Sequence, residues 1–268
     1  MTHRSATGIP ASEPRRSAAL VLLLFAFAYA SAATAAQLPY PEKPGWYGDS
    51  GAPNLSGVWI RSDVGEKSAG ASMRSIEGWK PWPPPLKGEF AAIWKTRVKE
   101  AAADKRTDEP FRRCLPPGMP RFMSGMTGPL LIIQTPGRVT LYRDGSPVRR
   151  IWLDGRKLPK LADREDFYNG NNIGHYAGTD LVTEVAGFKP QPIDSTGIPR
   201  SDQMTIQERF HRVDEQTLRV DITLLDAKAL SQPMTTSVTY IAYRDPLWEP
   251  REFICVPEKN FHADLYVH

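Results

Sequence analysis

Leu218, Val220, Ile222 and Leu224 alternate with Arg219, Asp221 and Thr223. Successive side chains of a strand point to opposite faces, so this stretch predicts a strand with one buried and one wet face. Shorter strand-like runs, some continuous and some alternating, occur at Leu55–Ile60, Leu130–Gln134, Arg138–Tyr142, Val148–Leu153, Leu181–Ala186, Met204–Arg212, Thr235–Ala242 and Glu252–Val256. Pro136-Gly137 and Asp144-Gly145 supply turn signals between neighbouring runs. One segment has the helical period. Phe90, Ile93, Trp94, Val98 and Ala101 follow the i, i+3, i+4 spacing, with Lys95, Lys99 and Glu100 off that face, which predicts a helix over 87–103. Residues 61–86 are rich in Gly, Ser and Pro and end in Trp79-Lys-Pro-Trp-Pro-Pro-Pro85, which excludes a regular helix or central strand. The resulting expectation is a mainly β fold of about nine strands. Consecutive hairpins favour an antiparallel meander. Closure into a barrel removes its edges, and a two-sheet sandwich fits the same strand count.

The N-terminus follows a different rule. Arg15-Arg16 precedes an apolar run from Ala18 to Ala30, and small residues lead to Ala33-Thr34-Ala35-Ala36. This is the layout of a secretory signal peptide. The run is shorter than the roughly 18–20 apolar residues that span a bilayer. The expected organisation is a signal peptide over 1–36, a Pro-rich and aromatic extended leader over 37–54, and a single β domain over 55–268. The expected compartment is periplasmic or extracellular, with no stable membrane anchor after cleavage. The general secretory route and the twin-arginine route both remain open. Loss of residues 1–36 removes Arg4, Arg15, Arg16 and Glu13, so the net charge of +4 falls to +2. Such a balanced chain is not expected to bind nucleic acid as its main partner. Cys114 and Cys255 are the two cysteines. In an oxidising compartment they are expected to form a disulfide, the alternative being one buried and one free thiol. Neither has a second Cys or His at ligand spacing, and the histidines are dispersed, so no metal or other cofactor is expected.

Several motifs together carry a resemblance. They are Asn54-Leu-Ser-Gly-Val-Trp59, Cys114-Leu-Pro-Pro-Gly-Met-Pro-Arg121, Gln134-Thr-Pro-Gly137, Arg150-Ile-Trp-Leu-Asp-Gly-Arg156, Gly174-His-Tyr-Ala-Gly178, Leu181-Val182, Ser201-Asp202 and Glu208-Arg209. Over most of residues 54–258 the chain resembles a largely uncharacterised family of exported bacterial proteins with a lipocalin-like barrel. The resemblance implies that fold, to which the residue patterns add one helix and a Pro-rich N-terminal extension. It implies no activity. Family members tend to carry Trp-Glu-Gly-Asp-Thr-Leu where this chain has Tyr176-Ala-Gly-Thr-Asp-Leu181, and often His where it has Leu158. A carboxylate and an imidazole of the family pattern are therefore missing here.

Candidate chemistry concentrates in a few residues. Glu208 shares strand parity with Met204, Ile206 and Phe210, so alternation turns it toward an apolar face. A carboxylate there is either a general acid or base whose pKa burial raises, or the partner of an arginine such as Arg150 or Arg209. His175 lies in Gly170-Asn-Asn-Ile-Gly-His-Tyr-Ala-Gly178, read as a loop in which His175 and Tyr176 can face a ligand. Asn171 and Asn172 offer amide groups, and Asp154 and Asp180 are acids near strand ends. Arg156, after the Asp154-Gly155 turn, is placed to hold an anion. Two readings follow: a barrel that binds a small apolar or aromatic molecule, or a cofactor-independent lyase, hydratase or isomerase. In the second, Glu208 or His175 moves a proton while Arg156 and Tyr176 stabilise negative charge. A third role, contact with a protein partner through the outer surface, uses none of these residues.

Overall fold

The computed structural model describes residues 51–63, 78–103, 105, 107–126, 128–245 and 247–251. The expected signal peptide, most of the leader, the strand over 252–256 and Cys255 lie outside the described residues. Nine strands form a closed barrel in sequence order. They are β1 (Gly57–Arg61), β2 (Leu130–Thr135), β3 (Arg138–Tyr142), β4 (Arg149–Trp152), β5 (Asn171–Ala177), β6 (Asp180–Ala186), β7 (Thr205–Arg212), β8 (Thr217–Leu225) and β9 (Met234–Ala242). Helix α1 (Gly88–Ala102) and the single-turn helix α2 (Arg121–Ser124) both lie between β1 and β2. The fold is thus the expected mainly β, mostly antiparallel barrel, with a second short helix that the chain pattern does not announce.

Alternation builds the interior. In β8, Leu218, Val220, Ile222 and Leu224 are fully buried while Arg219 is exposed. Burial of each aliphatic side chain contributes about 1.5–3 kcal/mol. Trp59, Leu130, Leu141, Ile151, Phe210 and Tyr240 face the same core, and Met119, Phe122 and Met123 around α2 pack against it. Among the described residues the barrel interior is filled by side chains. A buried guanidinium, Arg143, is part of that filling. It donates to the carbonyls of Met126 and Gly128 at 3.1 and 2.6 Å and to the Tyr240 hydroxyl at 3.0 Å. Burial lowers its pKa and raises that of Tyr240.

Helix α1 matches its expected span, but its apolar stripe is not a core face. No residue of α1 is buried, and Ile93 and Val98 are exposed. Trp94 is the residue that engages. Its ring meets Trp82 edge-on at 5.8 Å, and its indole N–H donates to Thr196 Oγ1 at 3.3 Å.

An odd strand number has a topological consequence. If neighbours alternated in direction all the way round, the ninth strand would run parallel to the first. Here β1 and β9 are antiparallel. The mismatch falls instead between β4 and β5, which pair parallel through Trp152 and Ile173 alone. Parallel neighbours need a crossover of about a dozen residues or more. Residues 153–170 supply it.

Candidate functional site

The β4–β5 seam leaves ladder positions unpaired, and side chains take over there. Arg149 on β4 donates through Nε to Asn172 Oδ1 on β5 at 2.8 Å. Asn172 Nδ2 in turn donates to the carbonyls of Asn169 and Gly170 at 2.9 and 2.8 Å. The Arg149 guanidinium also forks onto Glu208 of β7, Nη1 to Oε1 at 2.9 Å and Nη2 to Oε2. Thr183 of β6 donates its hydroxyl to Glu208 Oε2 at 2.7 Å. Both charged side chains are fully buried. Glu208 therefore points inward as alternation requires, but its partner is Arg149, not Arg150 or Arg209. Arg149 shares the interior parity of Ile151, whereas Arg150 is exposed and Arg209 is bonded to Asp180 on the outside.

Beside this network a cleft of about 480 Å³ opens on the outer side of the seam. The crossover forms one wall with Arg156, Lys157, Leu158, Pro159, Phe167 and Tyr168, and the strands supply Arg150, Trp152, Asn171 and Ile173. Arg149, Asn169 and Asn172 also border it. The Arg156 guanidinium lies 4.0 Å from the centroid of the Trp152 ring and pairs with Asp154. That hydrogen-bonded pairing holds the Asp154 carboxyl below the usual carboxylate range. Arg138, which faces Trp152 in the β3–β4 register, brings a second guanidinium to 5.5 Å from the same ring.

The other expected site residues are dispersed. His175 lies on a strand, not a loop, and its exposed position is on the opposite side of the wall from Asn172 and Glu208. Gly174 makes that strand possible. A Cβ there would lie 2.9 Å from Ile151 Cγ2 and 2.9 Å from the Val182 carbonyl, so the close approach of β4, β5 and β6 requires glycine. Tyr176 accepts a hydrogen bond from Gln134 Nε2 at 2.8 Å. Burial raises its phenol above the ordinary value. Gln134 also holds the chain before β1, accepting from Leu55 N at 2.6 Å and donating to the Pro53 carbonyl at 2.9 Å. Asp180 accepts from Arg209 Nη1 at 2.5 Å and contacts His211 Nδ1 at 2.6 Å. Burial opposes ionisation of Asp180, but these bonds prevail and lower its pKa. Asn171 donates to the Glu165 carbonyl at 2.9 Å, which pins the crossover to β5.

The structure thus brings Asn171, Asn172 and Arg156 to one cleft, with Asp154 behind Arg156. It does not bring Glu208, His175, Arg156 and Tyr176 together. Both Glu208 oxygens are committed to Arg149 and Thr183, and His175 faces outward. Trp152, Lys157 and Asn169 border the cleft without being singled out from sequence, and so does Arg150, expected only as a possible partner of Glu208. Their signal is the long interval after β4 combined with an odd strand count. Among the described residues no group of three or more His, Cys, Asp or Glu is arranged to hold a metal ion. No family model, curated protein or solved structure matches this chain.

Proposed function

We propose that the protein is an exported barrel that binds a small, mainly apolar or aromatic molecule, and that the molecule sits in the cleft beside the β4–β5 seam. The observation that carries this reading is the composition of that cleft. Trp152, Phe167, Tyr168, Ile173 and Leu158 provide apolar and aromatic walls, with four cations and three asparagines also bordering it. Its volume of about 480 Å³ falls in the roughly 300–1,000 Å³ range of small-molecule sites. The filled interior favours the wall over the barrel axis as the place of binding. The acid–base alternative has no comparable support, because Glu208 is committed to Arg149 and Thr183 and neither Glu208 nor His175 borders the cleft. The signal-like residues 1–36 and the expected Cys114–Cys255 disulfide belong to the same proposal. They assign the barrel to an oxidising compartment.

The test is calorimetric titration with bicyclic aromatics, 2-naphthamide first, with amide chemical-shift mapping. Binding is expected to shift Trp152, Tyr168 and Ile173, and Trp152→Ala is expected to weaken it about tenfold or more. Absence of binding by the bicyclic aromatics tried, or shifts confined to another surface, would overturn the reading. N-terminal sequencing of protein from the envelope fraction tests export, with a mature start expected near Ala36 or Gln37.

A further inference from the structure

Resting on the reading that this cleft binds a small aromatic molecule, we infer that its ligand is an aryl carboxylate that also carries a hydroxyl or N–H donor.

The charge around the cleft is one-sided. Its bordering residues include Arg149, Arg150, Arg156 and Lys157, and no Asp or Glu. Two of these cations are already answered. Glu208 pairs with Arg149 inside the barrel, and Asp154 pairs with Arg156. Arg150 and Lys157 have no ion-pair partner among the described residues, and both are exposed. Two unanswered cations at one apolar opening repel each other, and an anion between them relieves that repulsion. A planar guanidinium matches a carboxylate with two parallel hydrogen bonds, while the lysine ammonium acts as a point charge. Exposed cations alone are equally well served by water, so the charge pattern needs a second observation.

Asn169 supplies it. The residue is 5% exposed, borders the cleft, and its Oδ1 is shielded from solvent without a hydrogen-bond partner. The amide cannot usefully turn round, because Nδ2 donates to the Pro147 carbonyl at 2.6 Å. Oδ1 is therefore a fixed acceptor with nothing to accept from. Buried polar groups in folded proteins nearly always have a partner, and an exception calls for a reason. The neighbouring asparagines do not share this state: Asn172 uses both ends of its amide, and the Asn171 amide nitrogen is bound to the crossover. A donor on the ligand would satisfy Asn169 Oδ1 once the side chains that shield it shift, while the carboxylate meets Arg150 and Lys157.

The test compares probes that differ in one group. 2-Naphthoate, its neutral amide 2-naphthamide, and the 1-, 3- and 6-hydroxy-2-naphthoates are titrated calorimetrically at low and high salt. At low salt the carboxylate is expected to bind about tenfold tighter than the amide, as for a charge-assisted hydrogen bond. That advantage is expected to shrink at high salt, because exposed charges are screened. The double variant Arg150→Gln/Lys157→Gln is expected to bring naphthoate down to the affinity of the amide. At least one hydroxynaphthoate is expected to exceed naphthoate in the natural chain and to lose that excess in Asn169→Leu. If Asn169→Leu does not fold, the ranking of the hydroxynaphthoates against naphthoate in the natural chain decides the donor. Equal affinity for acid and amide would overturn the carboxylate and leave the aromatic-binding reading intact. No hydroxynaphthoate exceeding naphthoate would overturn the donor. Binding of none of these probes would overturn both this inference and the reading beneath it.

Discussion

Arg149 and Glu208, three strands apart round the barrel, meet inside it as a fully buried two-point ion pair. The pair is also the inner face of the seam, since Arg149 bonds Asn172 across it. A buried pair costs several kcal/mol per ion in lost solvation, so it is poor evidence of net stability, but removal of one partner leaves a charge stranded. Glu208→Gln is therefore expected to destabilise the fold by about 3–5 kcal/mol. The double variant Arg149→Met/Glu208→Leu is expected to recover most of that loss. Urea unfolding of Arg149→Met, Glu208→Leu and the double, read as a double-mutant cycle, checks this. Additive losses would show that the pair is not coupled.

Gly174 carries a second prediction. The methyl group of Gly174→Ala would meet Ile151 Cγ2 at 2.9 Å and Leu153 Cδ2 at 3.3 Å, with the Val182 carbonyl at 2.9 Å. The carbonyl belongs to the sheet and cannot turn away as a side-chain tip can. Overpacking of this kind costs about 1–3 kcal/mol. Thermal unfolding is expected to report a loss of that order. Because β4 and β5 share only the Trp152–Ile173 pair, amide exchange in Gly174→Ala is expected to rise first along this seam.

Eight strands of the barrel are readable from short apolar or alternating runs. β3 matches its expected span from Arg138 to Tyr142, and β8 differs by one residue at its start. β5 is not readable in this way. Asn171, Asn172 and Gly174 are poor strand formers, and what holds them extended is tertiary: the Arg149–Asn172 bond and the close approach at Gly174. The same lesson applies to the site. Parity alone turns Glu208 inward, but the choice of Arg149 as its partner depends on which strands face each other across the barrel. The cleft depends on where the parallel seam falls, and no local run of residues encodes that. In α1 the apolar spacing marks one face of the helix, yet Ile93 and Val98 on that face are exposed.

Asp180 provides a pH signature. Its folded pKa lies below the ordinary 3.8 because the bonds from His211 and Arg209 outweigh the effect of burial. A carboxyl whose folded pKa is lowered contributes stability that is present above the unfolded pKa and lost as pH falls through the folded one. The stability difference between the natural chain and Asp180→Asn is thus expected to decline as pH drops below about 4. Chemical unfolding across pH 2.5–7 measures it. A difference that grows as pH falls below about 4 would reverse the assigned sign.

The crossover makes the last prediction. Lys157 and Lys160 are exposed, and the stretch around them lies outside the barrel ladder. Loop tips of this kind are preferred sites of nicking. Trypsin is expected to cut after Arg156, Lys157 or Lys160 before it cuts within any of the nine strands. The two pieces should stay together, because β1 pairs with both β2 and β9 and so links the parts of the barrel on either side of the cut. Arg156, Lys157, Leu158 and Pro159 border the cleft, so an occupied cleft holds the very backbone that the protease must extract. Saturating 2-naphthoate is expected to slow this cut several-fold, with little effect on cleavage in the α1 region. Peptide mapping of a time course, with and without the probe, reads both rates. Protection spread evenly over all sites would point to global stabilisation, and protection elsewhere would move the binding site off the seam.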